Sequence, residues 1–433
     1  MFKKIINTFG TKFLGALLNF AIAAVISQAV GDVGKGEQSL LLTTITFILI
    51  FSDIVSGSSL VFLTPKHSFS KLILPTYIWS ILIGLISACI VPIFYHALSL
   101  DFTINIGILS IFASLNAVNV TILIGKERVK EANYLNLFQP IAILSALAIC
   151  YFLCGMKNVN AYIIALYVAY GGSWLGGLLL LRKDFRKVIL HSWKEYKPVV
   201  TDLFKFGILN QTGHFVQFFN LRLSYYLLAS YIDPGTTGVF SIAVSLAEAI
   251  WIISRSIALV QYARIANSDD PAYSQRLTLD LTKICIAFST AGMLVLALFP
   301  SSFYIWMFGP EFGGVPPLIR ILAPGTLMYS VYMIIGHYYS GIGKYQMNTY
   351  SALCGLFFTF SLGFTLIPRF EIYGAAITTS CAYIANAAFL IVFFLKHSGL
   401  HLRDCLLSVS DIRNYYGMFK LYYKEKFNLP NDK

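Results

Sequence analysis

The residues of this chain that could bind a ligand are concentrated in two long apolar stretches, 206–231 and 238–262. An ionisable side chain in the middle of a membrane span costs roughly 2.5–3.5 kcal/mol, so chains retain such residues where they face a bundle interior or a water-filled path. We therefore interpret the two stretches as part of a passage for a polar substrate. Their polar and ionisable members include Asn210, Gln211, His214, Gln217, Arg222, Glu248 and Arg255.

The polar residues of the first stretch have helical spacing. Asn210, His214 and Gln217 recur at intervals of three or four residues, which places them on one face of a helix. Arg222 lies at the edge of that face. A guanidinium stays charged when it is buried and can bind two oxygens of one phosphate group. The alternative is that these side chains form hydrogen bonds between the helices of a bundle.

The composition places the whole chain in a membrane. Of 433 residues, 57% are hydrophobic and only 12% are charged, whereas soluble domains carry roughly 25% charged residues. A window of about 20 apolar residues predicts twelve spans. These lie near 10–30, 39–62, 72–97, 103–124, 133–154, 159–181, 206–231, 238–262, 283–307, 315–338, 347–367 and 373–395.

The basic residues predict how the chain is oriented. If the N-terminus is cytoplasmic, most of the 32 Lys and Arg residues lie in cytoplasmic segments, and only Lys35, Lys157 and Arg369 lie in outer loops. Both termini are then cytoplasmic. The net charge of +12 is explained by orientation and by attraction to anionic lipid headgroups, without any nucleic acid.

An internal repeat is visible in the sequence. Residues 17–43 resemble residues 218–244, with Gly36 and Ser39 aligned on Gly238 and Ser241. The offset is six spans, an even number, so the two copies share one orientation and are related by an axis along the membrane normal.

The repeat predicts an all-α polytopic membrane protein with two six-helix lobes around a central cavity. The lobes are residues 1–181 and 206–395. The basic linker 182–205 joins them, and its first part is predicted to form an amphipathic helix on the cytoplasmic surface. Residues 396–433 form a cytoplasmic tail.

The repeat also suggests a gate. Glu248 and Arg255 are seven residues apart, about 10.5 Å along a helix, so each needs another partner. The alignment places Arg255 on Asp53, which predicts a contact between the lobes that closes the cytoplasmic side in one state. The alternatives are a permanent structural pair and two charges with separate partners. Lys12, near the cytoplasmic end of span 1, either contacts the cavity or extends toward the headgroups.

Two segments carry a resemblance to a known family. They are FGPEFGGVPPLIRILAPGTLMYSVYMIIGHYYSGIGKYQMNTY at 308–350 and IYGAAITTSCAYIANA at 372–387, where Tyr373-Gly374-Ala375-Ala376 is a shortened form of a Y-G-x-x-G-A-A motif. With the two lobes, they resemble the polysaccharide transporters of the multidrug/oligosaccharidyl-lipid/polysaccharide (MOP) exporter superfamily. The branch that the chain resembles is that of the O-antigen (Wzx-type) flippases.

The resemblance implies a function and its partners. We expect alternating access that moves an undecaprenyl-pyrophosphate-linked oligosaccharide, an O-antigen or capsular repeat unit, across a bacterial cytoplasmic membrane. Membrane lipids and polysaccharide assembly proteins are the expected partners. No cofactor is expected, although a H⁺ or Na⁺ gradient could drive transport through Glu248, Asp53 or His214. The predicted cavity residues are Arg222, Arg255, Glu248, Asp53, His214, Asn210, Gln217 and Lys12.

Two other functions compete with this hypothesis. A drug/cation antiporter of the MATE branch would depend on buried acidic residues, whereas the spans contain three arginines against Asp53 and Glu248. A membrane enzyme such as a polymerase or ligase would need a sizeable outer loop for catalysis, and the predicted outer loops are all short.

Overall fold

The computed structural model describes residues 2–94 and 100–399, and every regular element within them is a helix. The helices of the N-terminal half are α1 (Phe2–Ser56), α2 (Ser58–Leu63), α3 (Phe69–Phe94), α4 (Leu100–Gly125), α5 (Val129–Ala148) with a π-helical turn at Ile149–Leu153, α6 (Val159–Leu180) and α7 (Arg182–Phe185).

The C-terminal half repeats this pattern of long helices. Its members are α8 (Trp193–Tyr231), α9 (Pro234–Ala249), α10 (Trp251–Ala266), α11 (Pro271–Leu298), α12 (Ser301–Phe308) with a 3₁₀ turn at Pro310–Gly314, α13 (Val315–Gly341) and α14 (Gln346–Ser398).

The helices confirm an all-α polytopic membrane protein. Two of them hold two predicted spans each, because α1 bends at Gly31 (φ 69°) and α14 bends at Glu371 (φ 51°). By length and composition, nine helical segments in the described ranges could cross a membrane. Helix α8 is 39 residues long but is not among these nine, because its polar side chains lower its mean hydropathy. The predicted tail lies almost entirely outside the described residues.

The linker between the halves differs from the prediction. Only Arg182–Phe185 is helical in its first part, and the residues from Trp193 onward belong to α8. This extension does not lie on the surface, since Val199 and Leu203 are buried in an apolar core with residues of α2 and α3. The Lys71 ammonium lies 2.7 Å from the Glu195 carboxylate and holds the pKa of Glu195 below its usual range. Packing against α3 therefore replaces the predicted surface helix.

The two halves have separate cores and meet along α1. One large apolar cluster lies within residues 22–169, and another lies within residues 223–376, to which Leu40 is the single contribution from the N-terminal half. We call the end of the bundle predicted to face outward the outer end, and the opposite end the inner end. At the outer end, α1 packs against α9.

Aligned positions of the repeat meet at this outer contact. The Ser39 and Ser241 hydroxyl oxygens are 2.9 Å apart. A Cβ atom on Gly36 would lie 1.7 Å from the Pro234 carbonyl oxygen, so only glycine allows the two backbones to come this close. Equivalent residues meet in this way near a two-fold axis, as expected for a parallel repeat.

At the inner end the halves touch on one side. A Cβ atom on Gly207 of α8 would lie 1.6 Å from the Ile54 carbonyl oxygen of α1. By contrast, α10 packs against α9, α11 and α13, and among the described residues it makes little contact with α1. We call this loosely packed side of the inner end the inner gap.

The outer contact predicts a marked effect of one methyl group. Gly36→Ala should lower the free energy of unfolding by about 1–3 kcal/mol, because the added methyl overlaps a backbone carbonyl. The matched control is Gly171→Ala on α6, where a Cβ has nothing within 4 Å and alanine favours the helix. Thermal unfolding in detergent measures both. Equal melting temperatures for the two variants would contradict the close approach at Gly36.

Candidate functional site

A bidentate ion pair forms the centre of the candidate site. Arg222 of α8 donates from Nη1 to Glu248 Oε1 at 2.7 Å and from Nη2 to Glu248 Oε2 at 2.9 Å. Arg222 Nη1 also donates to the Leu221 carbonyl oxygen, and the Tyr383 hydroxyl donates to Glu248 Oε1 at 3.4 Å. The two side chains retain 27% and 15% exposure, so the pair lies between the packed core and an accessible space.

Three aromatic side chains pack next to this ion pair, and we call them the aromatic stack. The Trp251 and Tyr329 rings stack with centroids 4.2 Å apart, and the Tyr383 ring lies 5.3 Å from Trp251 and 4.9 Å from Tyr329. All three residues are buried, so the stack supports the site and does not line its surface. Trp251 begins α10, which continues the direction of α9 through Ile250, a residue with helical backbone angles (φ −59°, ψ −30°).

Tyr329 connects two further predicted residues to the site. Gln217 Nε2 donates to the Tyr329 hydroxyl at 2.6 Å. Arg255 is exposed on α10, one helical turn beyond Trp251, whose ring stacks on that of Tyr329. We give the name arginine cluster to the group formed by Arg222, Glu248, Gln217, Tyr329 and Arg255.

The remaining predicted residues form a second polar contact at the inner end. Asn210 Nδ2 donates to the Ser58 hydroxyl at 2.6 Å, and Gln211 Nε2 donates to the Asp53 carbonyl oxygen at 3.3 Å. The Asp53 carboxylate accepts from the Ser56 hydroxyl at 3.0 Å. This contact joins α8 to α1 and α2, which is the interhelical role named as the alternative for the amides.

The structure thus divides the predicted site. It brings Arg222, Glu248 and Gln217 together, leaves His214 exposed, and places Asp53 at the inner contact. Among the ion pairs that the described residues form, none includes Asp53 or Arg255. The predicted Asp53–Arg255 contact is therefore not made in this structure. The side chain of Lys12 lies outside the described part of the chain.

Sequence reasoning missed the aromatic stack and the partner of Glu248. Nothing in the linear spacing shows that Arg222 and Glu248 face each other, because they lie on different helices. The sequence does contain a signal for the stack. Tryptophan and tyrosine inside a span need buried hydrogen-bond partners, so they indicate a polar neighbourhood within the bundle. In the stack, the residues of this kind are Trp251, Tyr329 and Tyr383.

The chain matches no protein-family model. Two relatives are known by sequence. A capsular polysaccharide biosynthesis protein, CapF of Staphylococcus aureus, is 23% identical over 405 residues, covering 87% of this chain and 95% of CapF. The uncharacterized membrane protein MJ1068 of Methanocaldococcus jannaschii is 23% identical over 272 residues, covering 61% of this chain and 54% of that protein. The match thus spans about half the length of the archaeal relative.

Solved structures establish the class of fold. An inward-facing multidrug resistance MATE family transporter of the MOP superfamily superposes with a TM-score of 0.69 and 12% identity, covering 91% of this chain and 98% of that chain. The inward closed conformation of the lipid II flippase MurJ superposes with a TM-score of 0.74 and 15% identity, covering 100% of this chain and 94% of that chain. The chain therefore has the fold of MOP superfamily transporters, as its sequence predicted.

A double-mutant cycle tests the ion pair at the centre of the site. Arg222→Met and Glu248→Gln should each lower the free energy of unfolding by about 3 kcal/mol. This value is at the low end of the range for breaking a buried ion pair, because water can still reach the charge that is left without a partner. The double variant should lose much less than the sum, since it removes both charges. Thermal unfolding in detergent measures the three variants.

The chain offers a matched control for this cycle. Arg128 and Glu131 form an ion pair with side chains about one-third exposed, so Arg128→Met and Glu131→Gln should couple by at most about 1 kcal/mol. Equal coupling energies in the two pairs would contradict a special role for Arg222–Glu248.

Proposed function

We propose that this protein is a flippase that moves a lipid-linked oligosaccharide, carried on undecaprenyl pyrophosphate, from the inner to the outer leaflet of a bacterial cytoplasmic membrane. The observation that carries the proposal is the exposed side chain of Arg255, which lies two helical turns beyond Glu248 and has no ion-pair partner among the described residues. Glu248 compensates the charge of Arg222, so Arg255 leaves the cluster with a net positive charge. A cationic surface inside a membrane suits an anionic ligand group such as pyrophosphate.

The arrangement around Arg255 suits the other parts of such a substrate. The exposed part of Arg222 can donate hydrogen bonds to sugar hydroxyls. The inner gap between α10 and α1 gives the lipid tail a way to remain in the bilayer while the head group enters. Alternating access then requires the outer contact of α1 with α9 to open and the gap to close.

The comparisons support the proposal in its general form. CapF is named for capsular polysaccharide biosynthesis and MurJ is named as a lipid II flippase. Both names concern lipid-linked or surface glycans, and the match to CapF extends over almost its whole length. In this account the termini are cytoplasmic, and polysaccharide assembly proteins act on the product.

A second candidate is a MATE-type antiporter, which the likeness to the multidrug transporter favours. The specific residue in its favour is Asp53, whose carboxylate accepts from Ser56 and is free of any ion pair among the described residues. Asp53 lies at the inner contact of the halves, away from the arginine cluster. A cationic drug would meet the positive charge of Arg255, which makes this function the less favoured one.

Transport in liposomes tests the flippase proposal. A fluorescent undecaprenyl-pyrophosphate-linked saccharide is incorporated with the purified protein, and its arrival in the opposite leaflet is followed with a membrane-impermeant quencher. Arg255→Ala should lower the initial rate by about tenfold, the loss expected for one charge-assisted hydrogen bond. Arg255→Lys should retain part of the rate. The matched control is Arg276→Ala, another exposed arginine, on α11.

Two outcomes would overturn the proposal. One is a rate in protein-containing liposomes no higher than in empty ones, accompanied by proton- or sodium-driven uptake of a cationic dye. The other is an equal rate for Arg255→Ala and the unaltered protein, since the cation that carries the argument would then be unnecessary.

The contact between Asp53 and Arg255 stays a prediction for the state in which the inner gap is closed. Asp53→Arg and Arg255→Asp should each abolish transport by placing like charges opposite each other. The double reversal should recover part of it, because the attraction is restored with its direction exchanged. A double variant as inactive as both single variants would show that the two residues do not meet.

A further inference from the structure

A lysine that the sequence places in an outer loop is buried between the halves. Lys35 lies on α1 just after the bend at Gly31, and only 5% of its surface is exposed. Its side-chain nitrogen donates to Gln38 Oε1 at 2.5 Å and to the Ser39 hydroxyl at 3.0 Å. No ion pair formed within the described ranges includes Lys35. The amine is thus solvated by neutral groups alone.

A chain of hydrogen bonds connects Lys35 to the other half of the molecule. The Ser241 hydroxyl donates to the Gly238 carbonyl oxygen at 2.7 Å. Because the Ser241 hydroxyl proton is engaged in this bond, the Ser39 hydroxyl is the donor in the 2.9 Å contact between the two serines. The Ser39 oxygen in turn accepts from Lys35. The chain therefore runs from the amine across the outer contact, so the state of Lys35 and the closure of that contact are linked.

Opening the outer contact would change the surroundings of Lys35 more than those of most residues. Separating α1 from α9 breaks the bond between Ser39 and Ser241 and admits water from the outside. Water favours the ammonium form, whereas burial without a counter-charge disfavours it by several kcal/mol. The open state therefore binds a proton at Lys35 more tightly than the closed state.

We propose that Lys35 is a proton-binding site that couples the protonation of this side chain to the opening of the outer contact. The amine takes one proton from outside water when the contact opens and returns it to outside water as the contact closes. The proposal rests on the proposed transport function and deepens it, because it names a residue whose protonation regulates one step of the transport cycle.

Other titratable groups surround Lys35, and two of its nearest carboxylates are already engaged. Asp32 accepts from the Val33 backbone N–H at 2.7 Å, and Asp233 caps α9 by accepting from the Thr236 N–H at 2.8 Å. The neighbouring groups to be controlled for are Asp32 and Glu37 on α1, Asp233 before α9, Tyr162 and Tyr170 on α6, Tyr151 in the π-helical turn, and Glu311 in the 3₁₀ turn.

The proposal has a defined sign and magnitude. The open state holds the proton and the closed state has released it, so the ratio of closed to open protein should rise with pH. For one proton the ratio changes by at most tenfold per pH unit. Lys35→Met removes the titrating group and fills the site with an apolar chain, so it should remain closed at every pH. Lys35→Arg keeps a charge permanently and should favour the open state throughout.

Pulsed electron spin resonance measures this ratio without any substrate. Spin labels are attached after Val33→Cys and Tyr231→Cys, two exposed outer positions on opposite halves, in full-length protein whose native cysteines are replaced by serine. The fraction of long distances is recorded in liposomes between pH 5 and pH 9. The matched control is Glu37→Gln, which removes a neighbouring titratable group and should keep the pH response.

Each outcome decides the matter. A pH response that is lost in Lys35→Met and kept in Glu37→Gln supports the proposal. A response that persists in Lys35→Met, or a ratio that never changes with pH, overturns it. Because the distances are measured without lipid substrate, failure here leaves the rate test of Arg255→Ala unaffected, and failure of that test leaves the proton site standing.

Discussion

The bidentate contact between Arg222 and Glu248 is the interaction on which the rest of the C-terminal half depends. A charge in a membrane interior must be paired or hydrated, and here each member of the pair satisfies the other across two helices. The pair fixes the rotation of α8 against α9. That rotation places Gln217 against Tyr329. The stack of Trp251 on Tyr329 holds α10, which carries Arg255, against the same tyrosine.

The two halves are asymmetric, and the asymmetry suits a directional transporter. The arginine cluster has no counterpart in the N-terminal half, where the repeat aligns Arg222 with Ala21 and Arg255 with Asp53. The N-terminal half instead contributes the unpaired amine of Lys35 at the outer contact. In the proposed function, substrate recognition lies on the C-terminal half and proton binding on the N-terminal half, and the contact between α1 and α9 joins the two halves. A movement of one half against the other would affect both at once.

Much of the fold could be predicted from hydropathy and basic residues, because both follow from the physics of the bilayer. Every predicted span lies at least partly within a described helix, and the aligned glycines and serines of the repeat meet at the outer contact. The errors occurred where local pattern gives no information on tertiary packing. The first part of the linker reads as a surface helix, yet only Arg182–Phe185 is helical there. Lys35 reads as hydrated, because a bend at a single glycine looks like a loop.

The site was predictable in its residue types and only partly in its contacts. Arginine and glutamate within spans indicate function whatever their neighbours, so Arg222, Arg255 and Glu248 stand out in the sequence. Their pairing depends on the angle between helices, which periodicity does not specify. The aligned positions Asp53 and Arg255 do not meet here, since α10 makes little contact with α1 among the described residues.

The central claim is that the cluster around Arg255 recognises a lipid-linked pyrophosphate. Native mass spectrometry of the purified protein with undecaprenyl pyrophosphate and undecaprenyl monophosphate tests it most directly. The account predicts preferential binding of the pyrophosphate lipid, lost in Arg255→Ala and kept in Arg276→Ala. Equal binding of both lipids, or binding unchanged in Arg255→Ala, would contradict it.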